Sequence, residues 1–351
     1  MTDTSMRFDC ACGGIDVHAH VVPARFPRWV GNAAPKGWPS TTTAPEARGL
    51  CHVHVLVDGQ HYRTVDERCW SPTRRLADLP ARGLAAQVVS PMPELLGYWL
   101  PLEDACALVR FLNETTASMC AEGGGRLIGL AAVPLQDIDR AIAELRHAVD
   151  TLRLAGVEIG SNVNGVPIGD PRFLPFFEAC ETLDVPVFVH ALRPTGMDRL
   201  VGPAALQQVL AYPVDVGLAA ASVITGNLLA HCPRLRIAFS HGGGTLASLL
   251  PRLQQGWEVF PALKEQVGES PSEQARRLYY DALVFDAATL RQIVDRFGAT
   301  QVMLGTDYPF NFQEATPVAS IEAGGFDAAT VDALVRHNAA RFLGARIGIP
   351  S

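Results

Sequence analysis

The chain of 351 residues is 48% hydrophobic and carries a formal net charge of −7. That apolar content builds a large core and excludes a disordered chain. The acidic balance argues against a nucleic-acid partner.

Met1-Thr2-Asp3-Thr4-Ser5-Met6-Arg7 has no apolar core of the kind a signal peptide needs. The longest small-apolar stretch, Gly217 to Ala230, is too short to span a bilayer and contains Asn227. A soluble, cytoplasmic protein with no membrane partner is expected. The eight cysteines, at 10, 12, 51, 69, 106, 120, 180 and 232, include no pair of CxxC units. A structural zinc knuckle is therefore not expected, and Cys10-Ala11-Cys12 is the only close pair. Reduced thiols in a cytoplasmic protein are the default.

The first apolar run ends in Ile15-Asp16-Val17-His18-Ala19-His20. In a strand, side chains at i and i+2 share a face, so His18 and His20 project together. Neutral imidazole suits Zn, Fe, Mn or Ni. Residues 24–79 then break the rhythm: they are rich in Pro, Gly and Thr and carry no long helix. Within them His52–Val57, Asp58-Gly59 and Gln60–Val65 read as a hairpin, since Asp-Gly between alternating apolar residues is a strong turn signal. His52 and His54 alternate in this hairpin, away from any candidate barrel-strand end, and read as structural; His61, His147, His231 and His337 read as surface or helix-end residues.

From there the chain alternates short β-rich runs with helix-period segments. Counting the first run, candidate strands lie around 14–18, 86–91, 127–133, 156–161, 185–190, 235–241, 278–284 and 301–307. Leu102–Ala121, Asp137–Leu154 and Ala287–Phe297 are helical between them. Strands alternating with helices mean parallel βαβ units, and eight of them suggest a single (β/α)8 TIM-type barrel over 1–351. The hairpin segment 24–79 is then an insertion after the first strand, a lid or wall over the mouth where such barrels keep their active sites. A doubly wound open sheet is the other candidate, with no Gly-x-Gly-x-x-Gly to support it.

In a barrel, His18 and His20 end the first strand, His190 the fifth, His241 the sixth and Asp307 the eighth. Each alone could be a satisfied core residue; together they point to a metal site at one mouth. His18, His20, His190 and Asp307 offer three imidazoles and one carboxylate and leave an open position. His241, left over, is assigned as the general base that orients water. Gly242-Gly243-Gly244 after it permits unusual backbone angles. The fourth run, Gly156–Gly160, has no lysine. Binuclear hydrolases of this layout usually carry one there, so a single metal is favoured, and Glu158 reads as a polar residue of the barrel interior.

Six motifs recur in order along nearly the whole chain. They are Asp16–His20, Tyr62-Arg63 with Cys69-Trp70, Phe188-Val189-His190, Ser240–Gly244, Tyr280–Val284 and Leu304–Phe310. In these the chain resembles the decarboxylase branch of the amidohydrolase superfamily. The resemblance implies one zinc ion per chain, with Mn2+ or another divalent metal as alternatives, held by His18, His20, His190 and Asp307. It implies a metal-dependent, non-oxidative carboxy-lyase acting on an aromatic or muconate-semialdehyde-like carboxylic acid, with His241 and Asp307 at the chemistry. Arg63 and Phe310 would face the substrate, Arg63 as a carboxylate clamp. Arg252 would reach across a homodimer interface into the neighbouring site. Two places depart from the branch pattern: Ala191-Leu192 stand where a proline and a tryptophan are expected, and Gln208 where a second tryptophan is. An amide in place of an aromatic wall suggests a different ring or a more polar substrate. Hydrolysis or hydration at the same site, and a non-catalytic ligand-binding barrel, are the competing readings.

Overall fold

The computed structural model describes residues 13–27 and 35–347; the Cys10–Cys12 pair lies outside them. β1 (Gly14–Val21) is buried at every position, as a strand covered on both faces must be. Next come β2 (Pro39–Ala47), β3 (Leu50–Val57) and β4 (Gln60–Asp66), a separate antiparallel sheet in that order. The expected hairpin is β3–β4, with Asp58 at φ 54° and Gly59 at φ 73° in the turn. β2 was not expected. Its threonines between Pro39 and Pro45 read as loop, and it forms as an edge strand, where proline is tolerated, with Thr42 opposite His54.

Apart from a small two-stranded sheet of Asn162–Val163 and Val166–Pro167, the remaining strands are β5 (Leu84–Pro91), β6 (Leu127–Ala131), β7 (Gly156–Gly160), β8 (Val187–His190), β9 (Ile237–Phe239), β10 (Tyr279–Asp281) and β11 (Val302–Met303). With β1 they form one eight-stranded parallel sheet, β1-β5-β6-β7-β8-β9-β10-β11. The ends meet: Val17 N donates to Leu304 O at 2.9 Å, Asp307 N to His18 O at 2.8 Å, and Ala19 bridges Tyr308 in parallel. The expected barrel is therefore the observed one. Its strands share an apolar cluster of Ile15, Val17, Ala86, Val88, Ile128, Leu130, Phe188, Ala238 and Met303.

The helices include α1 (Leu102–Glu122), α2 (Ile138–Asp150), α3 (Leu174–Thr182), α4 (Tyr212–Thr225), α5 (Leu246–Val259) and α6 (Ala287–Phe297). In α2, Asp137 caps the first turn by accepting from Arg140 N. Its Ala141, Leu145, Ala148 and Val149 recur at helical spacing and are the buried face. The stretch read as beginning at Gly217 starts earlier: the helix over Gln207–Thr225 is long and apolar enough to cross a membrane by composition, and half of it is buried within the fold.

Two strands are shorter than their apolar runs. β9 stops before His241 (φ 54°) and β11 before Asp307 (φ 62°). Both residues leave the ladder in a left-handed conformation that L-residues seldom adopt. Such backbone strain is typical of functional positions.

Candidate active site

His18 and His20 project from one face of β1, with Nε2 atoms 3.1 Å apart. Asp307 Oδ1 lies 3.2 Å from His20 Nε2 and 3.8 Å from His18 Nε2. His190 completes the group from the end of β8, its ring centroid 5.0 Å from each of the other two imidazoles. The four ligand atoms all fall within 4.8 Å of one another. His190 Nε2 is buried and has no hydrogen-bond partner, which is costly unless a cation takes its lone pair. Three imidazoles and one carboxylate around that orphaned nitrogen fit a divalent transition metal.

Each imidazole is aimed by what its other nitrogen touches. His18 Nδ1 is 2.7 Å from Asp281 Oδ2, and Asp281 is itself fixed by Gly242 N at 2.8 Å and Leu283 N at 3.1 Å. His190 Nδ1 donates to Ala191 O at 2.8 Å, leaving Nε2 deprotonated. His20 Nδ1 sits 3.4 Å from Ser90 Oγ, which donates to Glu158. Such outer partners set tautomer and ring angle. Glu158 is a buried interior residue, as read, and burial pushes its carboxyl up to about 8.

Burial, the largest single influence, opposes a charge on His18, but the Asp281 hydrogen bond and the charges of Asp281, Asp307 and Glu158 together lift the imidazole to about 9. A metal ion must displace that proton, so loading weakens as pH falls. Asp281→Asn is expected to lower metal affinity by about 10- to 100-fold. Chelator competition against the wild-type protein measures this, and unchanged affinity would remove Asp281 from the site.

His241 follows β9, its ring 5.3 Å from His18 and 5.0 Å from His190, and it is not one of the four converging donors. Burial first, then the charge on His18, hold it down at about 4, so it is neutral at pH 7 and able to take a proton. The glycines behind it are required. A Cβ on Gly244 (φ 58°) would stand 1.9 Å from Pro213 O, so only glycine lets the chain turn there.

Above the four donors is a cavity of about 310 Å³ lined by His20, His190, His241, Asp307, Arg63 and Phe310, among others. Phe310 stacks on His20 (centroids 5.3 Å apart) and carries the Arg63 guanidinium 4.1 Å from its own centroid. Arg63 has no hydrogen-bond or ion-pair partner among the described residues, although it lines the cavity. Arg252 is exposed on α5 and lies outside this cavity in its own chain.

Of the two departures, Gln208 lines the cavity, while Leu192 is buried beside Gly160. Sequence reasoning missed the role of Asp281, although it ends an apolar strand as His190 does. It also missed Glu94 and Tyr212 in the cavity wall, which no motif announces.

A protein-family model described as amidohydrolase matches residues 15–345. The chain is 35% identical over 332 residues to the 2-amino-3-carboxymuconate-6-semialdehyde decarboxylase of Dictyostelium discoideum, covering 94% of this chain and 91% of that one. Among solved structures, the apo form of Metarhizium anisopliae IDCase aligns with TM-score 0.78 at 20% identity, over 94% of this chain and 97% of that one. The 5-carboxyvanillate decarboxylase of Sphingomonas paucimobilis aligns with TM-score 0.69 at 26% identity, over 77% and 82%. With its fold, its four convergent donors and a family match over nearly its whole length, the chain belongs to the amidohydrolase family, among relatives named as decarboxylases.

Proposed function

We propose that the protein is a metal-dependent, non-oxidative decarboxylase of an aromatic or muconate-semialdehyde-like carboxylic acid. Zinc is the proposed metal, with manganese or another divalent ion able to serve, and the cytoplasm the proposed compartment. One observation carries the reading: Arg63, a guanidinium with no hydrogen-bond or ion-pair partner among the described residues, shares a small cavity with a four-donor metal set.

Bound there, the metal supplies Lewis-acid stabilisation of negative charge. Arg63 takes a substrate carboxylate with its planar fork, and Phe310 fixes the height of that fork above His20. The bond from carbon to carboxylate breaks, its electron pair stays on carbon, CO2 leaves, and a proton fills the position. His241, neutral and facing the cavity, holds and moves that proton. The test is a screen of carboxylated aromatics and semialdehydes for CO2 release by metal-replete protein. Turnover without CO2 would favour hydrolysis or hydration at the same centre.

Arg63→Ala is expected to weaken apparent substrate affinity about 10- to 150-fold, from a charge-assisted hydrogen bond worth ~1.5–3 kcal/mol at 1.4 kcal/mol per decade. Unchanged steady-state kinetics would make Arg63 a solvated residue of the insertion.

The family likeness and the exposed position of Arg252 on α5 support a homodimer in which each site borrows Arg252 from its neighbour. Exposed Val214 and Leu218 on α4 and Leu249 on α5 offer apolar surface for that contact. Arg63→Ala and Arg252→Ala dimers should each be nearly inactive, and mixing them should restore activity, because one site of each heterodimer keeps both arginines. A monomer in solution, or no recovery after verified exchange, would rule out sharing.

A further inference from the structure

The cavity holds a second charged group that the decarboxylation reading does not use. Glu94 lies in the short turn Pro93–Leu95 after β5 and lines the same cavity as Arg63 and Gln208. Two phenols from different elements converge on one of its oxygens. Tyr62 of β4 and Tyr212 at the start of α4 both donate to Glu94 Oε1, Tyr212 at 2.5 Å. Burial first, then the neighbouring carboxylate, push both phenols well above the ordinary tyrosine range, so they stay protonated and keep donating. The Tyr212 ring also lies 6.0 Å from His190 and 6.3 Å from His241, which ties this arrangement to the reacting centre.

Oε1 is therefore committed twice, and its direction is fixed from both sides. Oε2 receives no hydrogen bond from any described residue, and the side chain opens on the cavity. A carboxylate oxygen held in this way accepts from whatever fills the space. It also repels a second anion, so an acid with nothing to donate is disfavoured by the same group. Discrimination of this kind is strong, because an analogue lacking the donor leaves a site's polar group unpaired.

We propose that Glu94 is a specificity-determining residue. Its Oε2 accepts a hydrogen bond from an N–H or O–H substituent of the substrate while Arg63 holds the carboxylate. The substrate class narrows to carboxylic acids that carry such a donor, an amino or hydroxyl group, within the span of one small ring. This rests on the proposed function only in taking the ligand to be a carboxylic acid.

The experiment compares equilibrium binding of benzoate with its hydroxy- and aminobenzoate isomers by metal-replete wild type, Glu94→Gln and Tyr212→Phe. Gln keeps an acceptor for the two phenols but puts an NH2 group where Oε2 was. Wild type should bind at least one donor-bearing isomer tenfold or more tighter than benzoate, as a charge-assisted hydrogen bond of ~1.5–3 kcal/mol allows. Glu94→Gln should erase that advantage and leave benzoate bound as well or better. Tyr212→Phe leaves Oε2 in place and should keep the preference. A wild type indifferent to the donor overturns the assignment, and so does a preference that survives Glu94→Gln. An equal loss for benzoate and its isomers in Glu94→Gln would show that Glu94 only props the tyrosines, and also overturns it. Failure of the decarboxylase reading looks different: the preference would persist in a protein that releases no CO2 from any acid it binds.

Discussion

Asp307→Ala should strip the protein of its metal and of its turnover together. Asp307 is the only anionic donor of the four, and its Oδ1 approaches two of the imidazoles. Without it, three neutral histidines would face a divalent cation in a mostly buried site, with no charge to offset it. Metal stabilisation of charge in the transition state is worth several kcal/mol. At 1.36 kcal/mol per decade, the rate should fall by about 10³-fold or more. Elemental analysis measures occupancy, and assays with added Zn, Mn and Co test rescue. A variant with normal metal content and normal rate would place the centre elsewhere. The same pair of measurements on His18→Ala, His20→Ala and His190→Ala should give the same joint loss, because each supplies one converging atom.

His241→Ala should separate the two quantities. Its ring is within 5.3 Å of two ligand rings, yet it stands outside the converging set. Metal content should stay near the wild-type value while turnover falls by about 10²- to 10⁴-fold, the usual cost of removing a general base. A variant that loses metal as Asp307→Ala does would make His241 a ligand.

Much of this was legible in the chain, for a physical reason. Parallel strands end at one mouth, so an apolar run closing in a histidine or aspartate marks a site residue without knowledge of distances. His18, His20, His190, His241 and Asp307 all obey that rule, and the structure brings them together. Asp281 obeys it too, at the end of β10. It was passed over because its partner, the His18 Nδ1 atom, lies 263 positions away.

Other features left no local trace. β2 exists because β3 offers it a backbone edge, against the preference of its own prolines. Glu94 follows Pro93 in a short turn after β5, and only the convergence of β4 and α4 puts two phenols on it. The ends of β9 and β11 were placed too late, since periodicity does not register the left-handed residues that turn the chain inward.

The central claim is that a carboxylate leaves as CO2 and a solvent proton takes its place, at a metal-loaded centre. The most direct measurement is turnover of a carboxylated substrate in D2O by protein that has been chelated and then reloaded with metal. The expected result is one CO2 per product, one deuterium at the carbon that held the carboxylate, and no reaction before reloading. Product formed without CO2, or CO2 released at an equal rate by the chelated protein, would contradict it.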